Sequence, residues 1–232
     1  MYGRARLFDI ISTMVRDVPV PVTLHLDHCP SREVINDCLE GGWNSVLFDA
    51  HELEVAENLR QTTEVVAEAT ARGAHVEGEI EGIQGVEDDL GSDEASAQQS
   101  LEVAVDFIQR TGVHCFAPAI GNAHGQYTSP PVLDHQRVTD LVEATGVPMA
   151  LHGGTGLSPE QFQDLIARGC AKVNISTALK ETYLKASLAH LREAEQKDKW
   201  DPPSLFKHTR ADVVALVTDL CKQFGSAGKG GR

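Results

Sequence analysis

The chain has 232 residues, 41% apolar and 23% charged, proportions that exclude the disordered and fibrous classes and fit a globular protein. Twenty Lys and Arg stand against 34 Asp and Glu, a formal charge of −14, so the surrounding field repels nucleic-acid phosphate and anionic lipid. No apolar run approaches the ~18 residues of a membrane span, the first residues lack the order of a secretory signal, and the cytosol is the expected compartment.

In chain order, Arg4 to Arg16 reads as a helix with Leu7, Ile11, Met14 and Val15 on one stripe. Pro19 to Leu26 is the first β-rich run, followed by a helix from Ser31 to Glu40 capped by Ser31. Ser45 to Asp49 is a second strand, and Leu59, Thr62, Thr63, Val66 and Ala69 then recur at helical spacing. His75 to Ile80 is a third strand. An acidic loop, Gly82 to Asp93, leads into a helix from Ala95 to Arg110. His114 to Ile120, Pro148 to Leu151 and Lys172 to Ile175 are strands four to six, each after a helix closed by glycine (Gly112, Gly146, Gly169). A helical tail covers about 178–224, within a single domain of 1–232. The cysteines Cys29, Cys38, Cys115, Cys170 and Cys221 are scattered without CxxC pairing and read as reduced thiols.

Strict strand–helix alternation implies a parallel sheet with right-handed crossovers. A dinucleotide fold would carry GxGxxG after its first strand; none stands there, and Gly153-Gly154-Thr155-Gly156 lacks that spacing. Polar residues instead end nearly every strand: Asp27-His28, Asp49, Glu79, His124, His152 and Asn174. That is the pattern of a (β/α)8 TIM barrel, whose functional groups gather at the C-terminal mouth. About six βα units are visible, so the expectation is an incomplete barrel with the first one to two units missing.

His28, His124 and His152 each follow an apolar strand, and three imidazoles at one mouth can hold a divalent metal with a position left open. His25, His75, His114, His135, His190 and His208 read as surface or hydrogen-bonded residues, and His51 stands between the two readings. Asp27, next to His28, suits proton exchange with a metal-bound or substrate hydroxyl. The acidic loop brings Glu87, Asp88 and Asp89 toward the mouth, with glycines that permit movement.

The segments LHLDH (Leu24 to His28), VEGEIEGIQGVEDD (Val76 to Asp89), AIGNAHGQY (Ala119 to Tyr127), ALHGGTGL (Ala150 to Leu157), AKVNIST (Ala171 to Thr177) and FGSAGK (Phe224 to Lys229) resemble, in order, the class II zinc-dependent fructose-bisphosphate and tagatose-bisphosphate aldolases. The resemblance implies that His28, His124 and His152 bind Zn2+ and that Glu79 holds the ion in an alternative resting position. It implies that Asp27 shuttles the proton of the substrate C4 hydroxyl and that Glu87 exchanges a proton at the donor carbon. Zinc then polarises the ketone oxygen, and no Schiff-base lysine is required. Gly125, Gly153 and Thr155 match the phosphate cradle, and Asn174, Ser176 and Thr177 match the last-strand segment; backbone amides at such turns bind anions without side-chain charge. The implied substrate is a phosphorylated sugar, split into dihydroxyacetone phosphate and an aldehyde. A monovalent cation and a homo-oligomer, dimer or tetramer, are also implied.

Three departures stand out. The family's first two βα units have no counterpart, Pro203 replaces an arginine often found after Asp-Pro, and Gly82-Ile83-Gln84-Gly85 lacks paired glycines. A metal-dependent barrel hydrolase and an inactive aldolase fragment are the alternatives. The expected geometry leaves Val20 to Leu26 and Val173 to Ile175 as unpaired edges with no ladder between them, and such edges invite association.

Overall fold

The computed structural model describes residues 2–87, 90–92, 98–127 and 129–231. Its elements run α1 (Tyr2–Val15), β1 (His25–Cys29), α2 (Arg32–Glu40), β2 (Ser45–Phe48), α3 (Val55–Thr70), β3 (His75–Gly78), β4 (Gly85–Glu87) and β5 (Leu90–Ser92). They continue with α4 (Leu101–Thr111), β6 (Cys115–Phe116), α5 (His135–Thr145), β7 (Met149–Leu151), α6 (Pro159–Arg168), β8 (Cys170–Val173), α7 (Thr177–Lys197) and α8 (Pro202–Gln223).

Six strands form one sheet in the order β1-β2-β3-β6-β7-β8, and every neighbouring pair is parallel. Among the described residues no ladder joins β1 to β8, as expected for an incomplete barrel. The sheet nevertheless curls until Lys172 on β8 comes within 3.8 Å of Asp27 on β1. The core lies between the sheet and its helices, where Phe48, Phe107, Phe116 and Phe162 are fully buried; each contributes roughly 1.5–3 kcal/mol relative to an exposed side chain.

Local chemistry sets the helix ends. Ser31, Ser100 and Asp134 accept the N–H of the third residue of α2, α4 and α5, and Ser158 with Gln161 completes a capping box on α6, satisfying amides that a helix start leaves unpaired. Gly112 and Gly146 close α4 and α5 in the left-handed region, where glycine avoids the Cβ penalty.

Several boundaries differ from the sequence expectation. Pairing of the first strand starts at His25 rather than Pro19, because Pro19 and Pro21 have no N–H to give a ladder. The third, fourth and sixth strands are shorter at their C-terminal ends, stopping at Gly78, Phe116 and Val173. Glu79, His124 and Asn174 therefore sit in loops above the sheet. Helix α4 begins at Leu101, since Ser100 caps it; residues 93–97 lie outside the described ones. The acidic loop contains the antiparallel pair β4–β5, and the C-terminal tail is two helices broken at Asp198, which adopts φ +48.

Candidate active site

The site is built on the carboxyl ends of β1, β3, β6 and β7. At the end of β1 the register shifts between Leu26 and Cys29, and His28 takes φ +43. A non-glycine residue there costs about 1–2 kcal/mol. The kink removes the strict alternation that would send Asp27 and His28 to opposite faces. The His28 ring is then held from behind, its Nδ1 donating to Asp49 Oδ2 at 2.9 Å, while the other oxygen of Asp49 takes His51 Nδ1 at 2.5 Å.

His124 is carried by the loop after β6. There the Asn122 side chain accepts from Ile120 N–H and donates to the His152 carbonyl at 3.0 Å. The Tyr127 hydroxyl accepts from Ala123 N–H and donates to the Gly153 carbonyl at 2.9 Å. His152, just past β7, is wholly buried, with Nε2 at 2.7 Å from Glu77 Oε1.

These supports bring the three rings together. Centroids lie 5.1 Å apart for His28–His124, 4.8 Å for His28–His152 and 6.0 Å for His124–His152. One nitrogen from each falls within 4.8 Å of the others, and His28, Asp49 and Glu79 form a second such group. Among the described residues, His28 Nε2, His152 Nδ1 and Glu79 Oε2 are buried without a hydrogen-bond partner. Buried polar atoms are rarely left so. A divalent cation among the three imidazoles would satisfy the two ring nitrogens, and one between His28, Asp49 and Glu79 would satisfy the carboxylate, so both donor sets fit a divalent metal.

The electrostatics favour a cation at the same place. Burial, and then the charges of Asp49, Glu77 and Asp27, push Glu79 well above the usual carboxylate range. Burial also raises the cost of charge on Asp27, but its contact with His25 and the nearby charge of Lys172 outweigh that and hold it well below the ordinary value. Asn174 Nδ2 donates to Asp27 Oδ2 at 3.2 Å. The Asp27 side chain is about half exposed and lies 3.3 Å from His25 Nε2.

The expected phosphate residues lie on three segments that meet. Gly154 N–H donates to the Asn174 carbonyl at 3.2 Å, and Gln126 Nε2 donates to Glu181 on α7 at 3.0 Å. The Thr155 hydroxyl accepts from Ala178 N–H, and Ser176 is the N-cap of α7 with Thr177 its first residue. Gly125 and Gly153 both have positive φ. Asn174 spends its side-chain amide on Asp27.

Glu87 ends β4, and its side chain lies, with Asp88 and Asp89, outside the described residues. The base of its loop is fastened to the site: His124 N–H donates to Gln84 O at 2.7 Å. Gly85, at φ +107, lies so close that a Cβ would stand 2.5 Å from His124 O. A cavity of about 390 Å³ lined by His28, Asp49, His51, Glu79, Ile83 and His124 opens beside the rings.

Glu77 and Lys172 were absent from the sequence reading, which had His25 as a surface or hydrogen-bonded residue and Asp49 only as a polar strand end; His25 is hydrogen-bonded, to the Ser45 hydroxyl. Strand parity carried the signal. Residues i and i+2 share a face, so Asp27 implicates His25, Glu79 implicates Glu77, and Asn174 implicates Lys172.

The class is that of an incomplete TIM barrel whose strand ends gather three histidines and nearby carboxylates able to hold a metal ion. Comparison with known proteins specifies the family. The family described as fructose-bisphosphate aldolase class-II matches residues 1–229, and the chain belongs to it. The fructose-bisphosphate aldolase of Geobacillus stearothermophilus is 35% identical over 233 residues, covering 99% of this chain and 79% of that protein. The 6-phospho-5-dehydro-2-deoxy-D-gluconate aldolase of Shouchella clausii is 37% identical over 212 residues, covering 91% and 71%. Among solved structures, the YdjI aldolase of Escherichia coli superposes with TM-score 0.82 at 31% identity, covering 98% of this chain and 78% of that one.

Proposed function

We propose that the protein catalyses reversible, zinc-dependent aldol cleavage of a ketose phosphate or bisphosphate to dihydroxyacetone phosphate and an aldehyde. The observation that carries this reading is that one nitrogen from each of His28, His124 and His152 lies within 4.8 Å of the others, with Asp27 next to His28 in the chain. His28, His124 and His152 hold the ion, and Glu79 offers a second position shared with His28 and Asp49. When bound, zinc supplies Lewis-acid polarisation of the substrate carbonyl.

The chain's own groups do the rest. Asp27 takes the proton of the C4 hydroxyl as the carbon–carbon bond breaks and returns it in condensation. Glu87 exchanges the proton at the donor carbon, and its loop is tied at Gln84 to the His124 N–H. The amides of Gly125 and Gly153 and the start of α7, with Thr155, Asn174, Ser176 and Thr177 around them, receive the donor phosphate. A hydrolase reading gains nothing from the two relatives described above, which are named as aldolases.

No described helix is long and apolar enough to cross a membrane, in keeping with a cytosolic enzyme of sugar metabolism. Exposed Leu184, Leu188 and Phe206 on α7 and α8 support a homo-oligomer, which light scattering tests. A monovalent cation is a second candidate cofactor, read from the rate in sodium against potassium salts. Residues 1–232 act as one domain in this account, so unfolding should show a single transition.

The test is a coupled assay of the zinc-loaded protein on fructose and tagatose bisphosphates. Triose phosphate release that disappears on chelation and returns with zinc supports the proposal; zinc binding without release from any ketose phosphate overturns it.

A further inference from the structure

The interior of the curled sheet holds a charged chain that metal binding and proton transfer do not require as ligands or acids. Glu77 on β3 is 2% exposed. Its Oε1 lies 2.7 Å from His152 Nε2, and its Oε2 lies 2.7 Å from Lys172 Nζ. Lys172 Nζ lies in turn 3.4 Å from His25 Nε2 and 3.8 Å from Asp27 Oδ1. His25 is fixed on its other side, where Nδ1 meets the Ser45 hydroxyl at 2.6 Å.

We propose that Glu77 and Lys172 are a positioning pair that fixes the tautomer of His152 and joins it to Asp27 across the open side of the sheet. A carboxylate between an ammonium and an imidazole accepts from both, so His152 Nε2 carries the proton. Nδ1 then keeps its lone pair, and Nδ1 is the buried ring nitrogen without a hydrogen-bond partner among the described residues. A carboxylate behind a metal-binding histidine orients the ring and raises its basicity. Asp49 stands in the same relation to His28.

Lys172 adds something that Asp49 has no equivalent of. β1 and β8 are the two edges of the sheet, and the side chains of Lys172 and Asn174 on the β8 side reach the β1 side at His25 and Asp27. Lys172 therefore sets two things at once, the tautomer of a metal-binding ring through Glu77 and the place of the proton-transfer carboxylate. Asn174 sets only the second. The inference rests on the proposed function for its catalytic consequence, while the tautomer is a property of the metal-free protein.

The experiment begins there. Nitrogen-15 spectra of the histidine side chains in the metal-free protein should show His152 protonated on Nε2, with Nδ1 at a pyridine-type shift; a proton on Nδ1 overturns the proposal. Glu77→Gln should lower zinc affinity by roughly 10–100-fold in chelator competition. Lys172→Met should lower zinc affinity and also reduce kcat for cleavage more than proton exchange at the donor carbon, with Lys172→Arg restoring affinity. Asn174→Ala should alter cleavage and leave zinc affinity unchanged. Unchanged affinity in folded Lys172→Met refutes the pair, and that variant decides the matter with the wild-type spectrum if Glu77→Gln does not fold. Zinc bound through His152 Nδ1 without aldol cleavage would sink the proposed function and leave this inference standing.

Discussion

Gly153 follows His152 directly and belongs to the proposed phosphate cradle, so replacing it with alanine should perturb both. Its φ is +65, and a Cβ built there would stand 2.1 Å from the Ala123 carbonyl oxygen and 2.7 Å from the carbonyl carbon. The left-handed backbone alone costs alanine about 1–2 kcal/mol. For a chain of this size each kcal/mol lowers Tm by roughly 2–4 °C, so a fall of about 2–8 °C is expected in a thermal melt. The clash adds a displacement. To reach even a tight contact of 3.0 Å the Ala123 carbonyl must retreat 0.9 Å, the difference from 2.1 Å, and Ala123 is bonded directly to His124. A misplacement of about 1 Å at reacting groups costs on the order of 100-fold in rate. Gly153→Ala should therefore lose zinc affinity and about two orders of magnitude in kcat/KM while remaining folded. A variant that melts with the parent and binds zinc equally would refute the packing argument.

Arg137→Met leaves the buried Glu81 carboxylate without its guanidinium partner, and the expected loss is about 3–5 kcal/mol in urea titration, since an uncompensated buried charge is left behind. His114 is held below its ordinary pKa by burial and by the neighbouring ring of His75, stacked at 4.6 Å. The unfolded chain then binds the proton better, so this contribution is full above the unfolded value of 6.5 and is lost as pH falls below it. The stability difference between the parent and His114→Gln should accordingly narrow between pH 7.5 and 5.5; a constant difference contradicts the assignment. Glu87→Gln should abolish proton exchange at the donor carbon with zinc still bound, whereas Asp27→Asn should impair cleavage more than exchange. Equal loss of both reactions in both variants contradicts the division of labour.

The alternation of strands and helices was legible because buried parallel strands are short apolar runs and their helices end on glycine or begin on Ser and Asp. Strand ends were less so. The Pro19 to Leu26 run has β composition throughout, yet only tertiary pairing decides that the ladder starts at His25. The β4–β5 pair escaped because three-residue strands are too short to show a period. At the site, position after an apolar strand sufficed to select His28, His124 and His152. It missed Glu77 and Lys172 because charged residues within a strand read as solvent-facing until the curl of the sheet turns that face inward.

X-ray absorption at the zinc edge, on protein loaded with one equivalent of metal, tests the central claim most directly. The account predicts three imidazole nitrogens at about 2.0–2.1 Å with one further light-atom ligand, falling to two nitrogens in His152→Ala together with loss of triose phosphate release. Sulfur scattering from a cysteine, or an unchanged spectrum in His152→Ala, would contradict it.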